Sequence, residues 1–286
     1  MRKVLLGTLI AFALAAEVGA APQAVVDAVQ APAWRDRDGR AEPLRAGMEL
    51  QSRDRIRTGD GSRVYLKLAD GSTVKLGENG EFHAERLGPS GRQFFSAALD
   101  VAKGAFRFTT DKLRKPSRRD ISIRVATVTA GIRGTDIWGK TEPERDFVCL
   151  LEGRISVSHK DGDAREMSEP MTFYVAPRNQ PLKGIEKADP ETVKKWAAET
   201  EIVPGGGAMR QGGKWKVLLS RETDQPSALA VFDKVTAAGY PASIRPRFEA
   251  EAVRYDILLR NLPSQAEAEA IATRMKRLGL DARPFL

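Results

Sequence analysis

The chain has 286 residues, 42% of them apolar and 29% charged, with a formal net charge of +8. That balance excludes a disordered polymer, and the length suits two domains of ordinary size. The excess base is spread along the chain rather than gathered in a tail.

The first residues, MRKVLLGTLIAFALAAEVGAAPQA, read as a secretory signal over residues 1–20. Arg2 and Lys3 supply a positive start, Val4 to Ala16 form an apolar run closed by Glu17, and Val18-Gly19-Ala20 offers a small-residue cleavage site. A membrane-spanning helix needs about 20 apolar residues, more than this run holds, and no later segment is apolar enough to span. The expectation is therefore export to the periplasm, with no transmembrane span after cleavage. The single cysteine, Cys149, rules out an intramolecular disulfide, and in the run FVCLLEG it reads as a small buried hydrophobe. A chain of this size without disulfides fits a bacterial periplasm better than a eukaryotic exterior.

Residues 21–44 form an N-terminal lead-in, and a mostly antiparallel β domain is expected over residues 45–185. In SRVYLKLADGSTVKLGENGEF, Val64, Leu66 and Leu68 fall on one face at period two, Asp70-Gly71 is a hairpin turn, and Val74 and Leu76 resume the alternation. Asn79-Gly80 marks a second turn, and short β-branched or aromatic runs continue to residue 158 without a helical period. Close strands with tight turns point to a sandwich or solenoid-like build. Within this stretch, Lys112, Arg114, Lys115, Arg118, Arg119 and Arg124 make a dense basic patch. It either meets an anionic polymer or lipid headgroups, or is a solvated loop beside a strand. Nucleic acid is a poor partner for an exported chain.

The run VTAGIRGTDIWGK, residues 128–140, looks at first like a phosphate-cradling loop. Such a cradle opens a helix, whereas here the chain continues into another strand. Val128, Ile132 and Ile137 read as core positions and Gly131 and Gly134 as bends, with Arg133 and Asp136 able to pair with each other or tie down a neighbouring turn.

Residues 186–212 combine a short helix with a glycine-rich linker. Asp189 is an N-cap, Pro190 suits the first helical position, and Val193, Trp196 and Ala197 share a face that packs on the β domain. VPGGGAMRQGG then reads as a flexible boundary.

Residues 213–286 hold an internal repeat of offset 40, in which Leu218 meets Leu258, Leu219 meets Leu259, and Gly239 meets Gly279. Each half reads strand, helix, glycine stop, strand, giving an α+β ferredoxin-like β-α-β-β-α-β domain with one open sheet face. Leu229, Phe232 and Val235 are expected to bury one helix, and Ile271, Met275 and Leu278 the other.

Residues 213–286 resemble the SPOR domain in element order, twofold repeat and position. The first strand has Trp215, Val217 and Leu219 at the family's inward positions, but Leu218 and Ser220 where members carry Gln and Gly. The third strand, from Tyr255 to Leu262, keeps the core positions and lacks the family's Gly-Pro. This resemblance implies binding of peptidoglycan glycan strands stripped of stem peptides, as at sites of cell division. The candidates are Leu218, Ser220, Arg221, Arg247, Asp256, Leu258 and Arg260, with Trp or Tyr stacking as an aid. The competing reading is that Arg221, Arg247 and Arg260 merely keep the face soluble.

Residues 45–158 resemble the FecR domain, a β-rich periplasmic module. Asp54 to Arg63, Leu66, Leu68, Asp70-Gly71-Ser72 and Val74 match its early stretch. Val128, Gly131, Arg133, Gly134 and Thr135, then Glu152-Gly153 and Val157, match its late signature. FecR regulators carry a membrane span before this domain, where this chain carries an export signal.

No catalytic inventory emerges. His83 and His159 are the only histidines, and neither has an evident Ser or Cys partner in sequence, although Cys149 and His159 could approach on neighbouring strands. One cysteine and two histidines make a zinc cluster improbable, Asp60 and Asp70 sit at turn glycines, and no nucleotide-binding motif occurs. The sequence thus points to a binding protein without catalysis, cofactor or metal, docked on peptidoglycan and on a second envelope protein. Its alternative is a periplasmic sensor or regulator working through protein contacts of the FecR-like domain, with a C-terminal module that has lost glycan binding.

Overall fold

The computed structural model describes residues 22–89, 94–111, 118–249 and 252–286. The expected signal sequence and Lys112, Arg114 and Lys115 of the basic patch lie outside them. In chain order the strands are Ala24–Gln30 (β1), Ala33–Arg37 (β2), Arg40–Pro43 (β3), Glu49–Leu50 (β4), Arg55–Thr58 (β5), Arg63–Leu68 (β6), Thr73–Leu76 (β7), Glu81–Pro89 (β8) and Phe94–Thr109 (β9). Arg118–Val125 (β10), Val128–Ile132 (β11), Asp136–Thr141 (β12), Arg145–Glu152 (β13), Ile155–His159 (β14), Arg165–Met167 (β15), Thr172–Pro177 (β16) and Gly184–Lys187 (β17) follow. Helix Pro190–Ala198 (α1) and strand Ala208–Arg210 (β18) precede the last segment, Trp215–Glu222 (β19), Gln225–Ala237 (α2), Ser243–Phe248 (β20), Val253–Leu262 (β21), Gln265–Arg277 (α3) and Arg283–Phe285 (β22).

Strands β1 to β18 form two linked layers that share β9. Its first part pairs with β8 and, in parallel, with β10, while its second part pairs with β7 and β12. The change of layer falls at Gly104, whose φ of +85° suits glycine and whose Cα carries no side chain to strike Gly80. One layer runs β18-β1-β6-β7-β9-β12-β13-β16-β17, the other β3-β2-β5-β8-β9-β10-β11-β14-β15. Val64, Leu66, Phe106 and Val148 of the first share one buried core with Ile56, Phe82, Leu99 and Ile123 of the second. The Asp70-Gly71 hairpin is present: Asp70 accepts hydrogen bonds from the Ser72 amide at 3.0 Å and hydroxyl at 2.7 Å.

Residues 24–43, expected as a lead-in, are three strands of this body. Burial of AVVDAVQ alternates only from Ala24 to Ala28, yet β1 pairs with β6 along its whole length.

The outer face of the first layer is crossed by a strap, residues 188–208. It leaves the β17 edge, passes over the sheet as α1, and rejoins the opposite edge as β18, which pairs with β1. Asp189 caps α1 through the amides of Glu191 and Thr192. Trp196 stacks on Trp138 with ring centres 5.4 Å apart and planes 3° from parallel, and packs at a tilt on Phe147 and edgewise on Phe173. Further on, the Glu201 carboxylate accepts from Lys75 Nζ at 2.6 Å, the Tyr65 hydroxyl at 2.6 Å and Arg107 at 3.2 Å.

The expected flexible linker is tied down as well. Glu267, the third residue of α3, accepts hydrogen bonds from the amides of Gly205 at 2.9 Å, Gly207, and Ala208 at 2.7 Å. Ser264, Gln265, Ala266 and Glu267 have the spacing of a capping box, but the glutamate reaches across to the glycine loop instead of back to its own helix. A sequence rich in glycine reads as loose until the carboxylate that orders its amides is known.

The C-terminal segment forms a four-stranded antiparallel sheet of order β20-β21-β19-β22 with α2 and α3 against one face. Val217, Leu219, Ile257 and Leu259 pack with Ala228, Val235, Ile271 and Met275. Leu229, expected inside, is 42% exposed, because α2 turns Ala228, Val231 and Val235 toward the sheet instead. This module abuts the β body at the turn after β1: Gly239 packs where any Cβ would meet the Trp34 ring at 2.5 Å, its carbonyl accepts from the Ala33 amide, and Arg274 donates to the Ala31 carbonyl.

Candidate functional site

Two surfaces concentrate the residues singled out in the sequence. The first is the corner between β11 and β12 in the glycine-rich run. β11 lies between β10 and β14, with Val128, Ala130 and Ile132 inward. Gly131 faces Ser156, whose hydroxyl a Cβ would meet at 2.7 Å. The chain turns at Gly134, φ +78°, and Thr135 is locked there: its amide donates to Thr110 Oγ1, and its carbonyl accepts from the Thr110 amide and hydroxyl, each at 2.9 Å. Gly153, φ +91°, passes so near that a Cβ would lie 2.4 Å from the Gly134 carbonyl oxygen. These glycines and threonine build a corner, not an anion cradle. Asp136 pairs with Arg107, at 2.7 and 3.0 Å, and not with Arg133. Arg107 lies diagonally across on the adjacent strand β9, opposite Trp138, and faces the carboxylate with two nitrogens, a pairing that sequence proximity alone does not reveal. Arg133 is left exposed at the corner, near Arg154 and Glu166.

The second surface is the open face of the C-terminal sheet, which carries a groove of about 500 Å³. Leu218, Arg221, Arg247, Asp256, Leu258 and Arg260 all line it. Leu218 and Leu258 are paired neighbours on β19 and β21, and Leu258 is only 6% exposed beneath the longer side chains. Asp256 accepts from Arg221 at 2.6 and 3.1 Å and lies 3.8 Å from Arg247. The Asp256 carboxylate beside it raises the Arg221 guanidinium above its ordinary range, so its charge is fixed. Ser220 is not brought into the groove. A bulge between Leu218 and Ser220 shifts it to a neighbouring depression, where its hydroxyl bonds Glu222. The expected Trp and Tyr stacking is not there either: Trp215 and Tyr255 pack against the hydrophobic core, and the groove ring is Phe285, with Lys216 Nζ 5.3 Å from its centre. Lys216, Arg245 and Arg283, which are not among the candidates from sequence, also line it. Period two from Leu218 and Arg247 reaches Lys216 and Arg245, whereas Arg283 follows only from the pairing of β22 with β19. The groove thus sets six cations against one carboxylate.

Of the basic patch, two side chains are described, Arg119 and Arg124, and each is paired with an acid. Arg119 is drawn inward onto the buried Asp70 carboxylate at 2.9 Å, and Arg124 pairs with Asp100, because strand β10 sets each against an acid of the body. The Asp100 carboxylate also lifts the Arg124 guanidinium above its usual range. Arg118 opens β10.

Cys149 lies between Trp138 and Phe173 in the sheet register, and burial followed by the nearby Asp136 charge pushes its thiol up to about 12. Such a thiol stays protonated and unreactive. His83 bonds Glu81 at 2.9 Å, and His159 lies near Asp161. Among the described residues no three His, Cys, Asp or Glu are grouped to hold a metal ion. No helix among the described residues is long and apolar enough to cross a membrane.

Residues 54–164 match the family model described as FecR protein, so the β body contains a FecR domain. No curated protein matches the chain. Among solved structures, two crystal structures of a candidate anti-sigma factor from Parabacteroides distasonis ATCC 8503 resemble it. Each has a TM-score of 0.41, at 14% and 13% identity, and covers 70% of this chain and 96% of its own.

Proposed function

We propose that the protein is a regulatory or sensor protein that works by protein–protein contact through its FecR domain, outside the cytoplasm after export. The observation that carries this reading is the family match over residues 54–164. The physical support is a rigid body whose signature glycines and Thr135 set an exposed arginine, Arg133, on a fixed corner. An exposed charge on a rigid turn suits recognition, since contact has to order only the arginine side chain and not the backbone that carries it. The test is a comparison of transcript levels in the source cell lacking the protein and in one carrying Arg133→Glu. Shared changes in the same transcripts support the reading; wild-type transcript levels in both strains refute it.

A second reading is favoured by one observation, the gathering of six of the seven glycan candidates on one groove. On this reading the C-terminal module resembles SPOR domains in use as well as in element order, and binds glycan strands freed of stem peptides. Removing the peptide leaves a carboxylate on the sugar, and the cations of the groove match such acids. Binding of the full chain to sacculi that rises after amidase treatment supports it. Absence of binding before and after treatment refutes it.

A further inference from the structure

The groove does not end at the edge of the module. Arg260 lines it and also lines a second cavity, of about 530 Å³, between the module and the β body. In that cavity the module supplies Phe232, Pro241 and Ser243, and the β body supplies Pro43, Arg45 and Met209. Arg45 is exposed there, and the one carboxylate lining the cavity, Glu42, is paired with Arg35. The junction is firm. The Glu267 carboxylate holds the Gly205–Ala208 loop, and Gly239 is pressed on Trp34, so the two cavities keep a fixed relation.

We infer that groove and cleft form one track, in which a linear glycan bearing carboxylates lies along the sheet face and continues past Arg260 to Arg45 of the β body. This rests on the glycan reading of the groove. The chemistry of the lining favours that occupant. Sugar rings present C–H faces to Leu218, Phe285, Pro241 and Phe232, and their acid groups meet Arg245, Arg260 and Arg45. A single-stranded nucleic acid asks for several stacking rings, and the groove offers one. A bilayer surface asks for a convex apolar face, whereas this track sinks between two bodies. A ligand spanning both would tie the occupancy of the module to the β body that contains the FecR domain.

The test is calorimetry on the full chain with glycan strands freed of peptide, in a short and a long size class. A neutral chitin oligomer and polyglutamate serve as comparison ligands, and Lys194→Glu, on the remote helix α1, serves as the charge-change control. Arg245→Glu is expected to weaken both size classes about tenfold or more, and Arg45→Glu only the long class, by about tenfold. The salt dependence of the long class should also become shallower with Arg45→Glu. If Arg245→Glu abolishes binding and Arg45→Glu has no effect at either length, the continuous track is wrong and the glycan reading stands. If wild-type binds neither size class, both fall. Tighter binding of polyglutamate than of glycan overturns the glycan as occupant and leaves an acidic peptide in its place.

Discussion

Truncating Trp196 to alanine isolates what holds the strap on the β body. Removing a buried tryptophan from a protein core costs about 3–5 kcal/mol. Trp196 is half-buried and α1 buries no residue completely, which reduces that figure. Its stack on Trp138, with planes 3° apart, and its contacts with Phe147 and Phe173 restore part of it, about 0.5–1.5 kcal/mol for an aromatic pair. The net expectation is about 2–3 kcal/mol. The loss should be local, because a nine-residue helix has little stability of its own once its anchor is gone. Amide exchange from Lys194 to Ala198 should speed up on the order of 30- to 100-fold, by the rule of about 1.4 kcal/mol per decade. The amide of Val148, in the core strand beneath, should keep its protection. Unchanged exchange over 194–198 would refute the assignment of Trp196 as the anchor, and equal loss at Val148 would refute its local character.

Four further outcomes follow from the same geometry. Glu267→Ala leaves three amides without their acceptor and should destabilise the junction by about 2–4 kcal/mol in urea unfolding, whereas Glu267→Gln, which keeps one carbonyl, should cost about half as much. Gly153→Ala forces a methyl against the Gly134 carbonyl at a positive φ, and should lower stability by more than about 2 kcal/mol; a melting temperature equal to wild type would contradict the corner. Burial raises the pKa of Glu201, but the Lys75 and Tyr65 hydrogen bonds and the Lys75 and Arg107 charges outweigh it and hold the group below its ordinary 4.5. Its contribution is therefore complete above that ordinary value and is lost as pH falls through the lower folded value, so Glu201→Gln should flatten the acid limb of a stability–pH curve and leave its shape at neutral pH unaltered. Cys149 should resist a thiol reagent in the native protein and react at the rate of unfolding; rapid native labelling would contradict its burial.

The hairpins were legible because period-two alternation and Asp-Gly turns are local. Val64, Leu66 and Leu68 point inward as their spacing requires, and Asp70-Gly71 turns the chain between β6 and β7. The strap was legible only at its anchor, Trp196. Its second fastening joins Glu201 to residues 94 to 136 positions away, beyond any local pattern. The same holds for the glycine loop, whose apparent looseness is removed by Glu267 from a helix about sixty residues later. In the groove, alternation along β21 gave Asp256, Leu258 and Arg260 together, but it could not foresee the bulge that turns Ser220 aside. Nor could it join Arg283 to Leu218, which are neighbours only through the β19–β22 pairing.

The most direct measurement on the regulatory reading is photocrosslinking in the source cell, with a crosslinking residue in place of Arg133 and, as a control, in place of Lys194. The account predicts one discrete protein adduct at position 133, absent at 194 and lost when Gly153→Ala is added to distort the corner. Adducts at 133 that match those at 194 would contradict it.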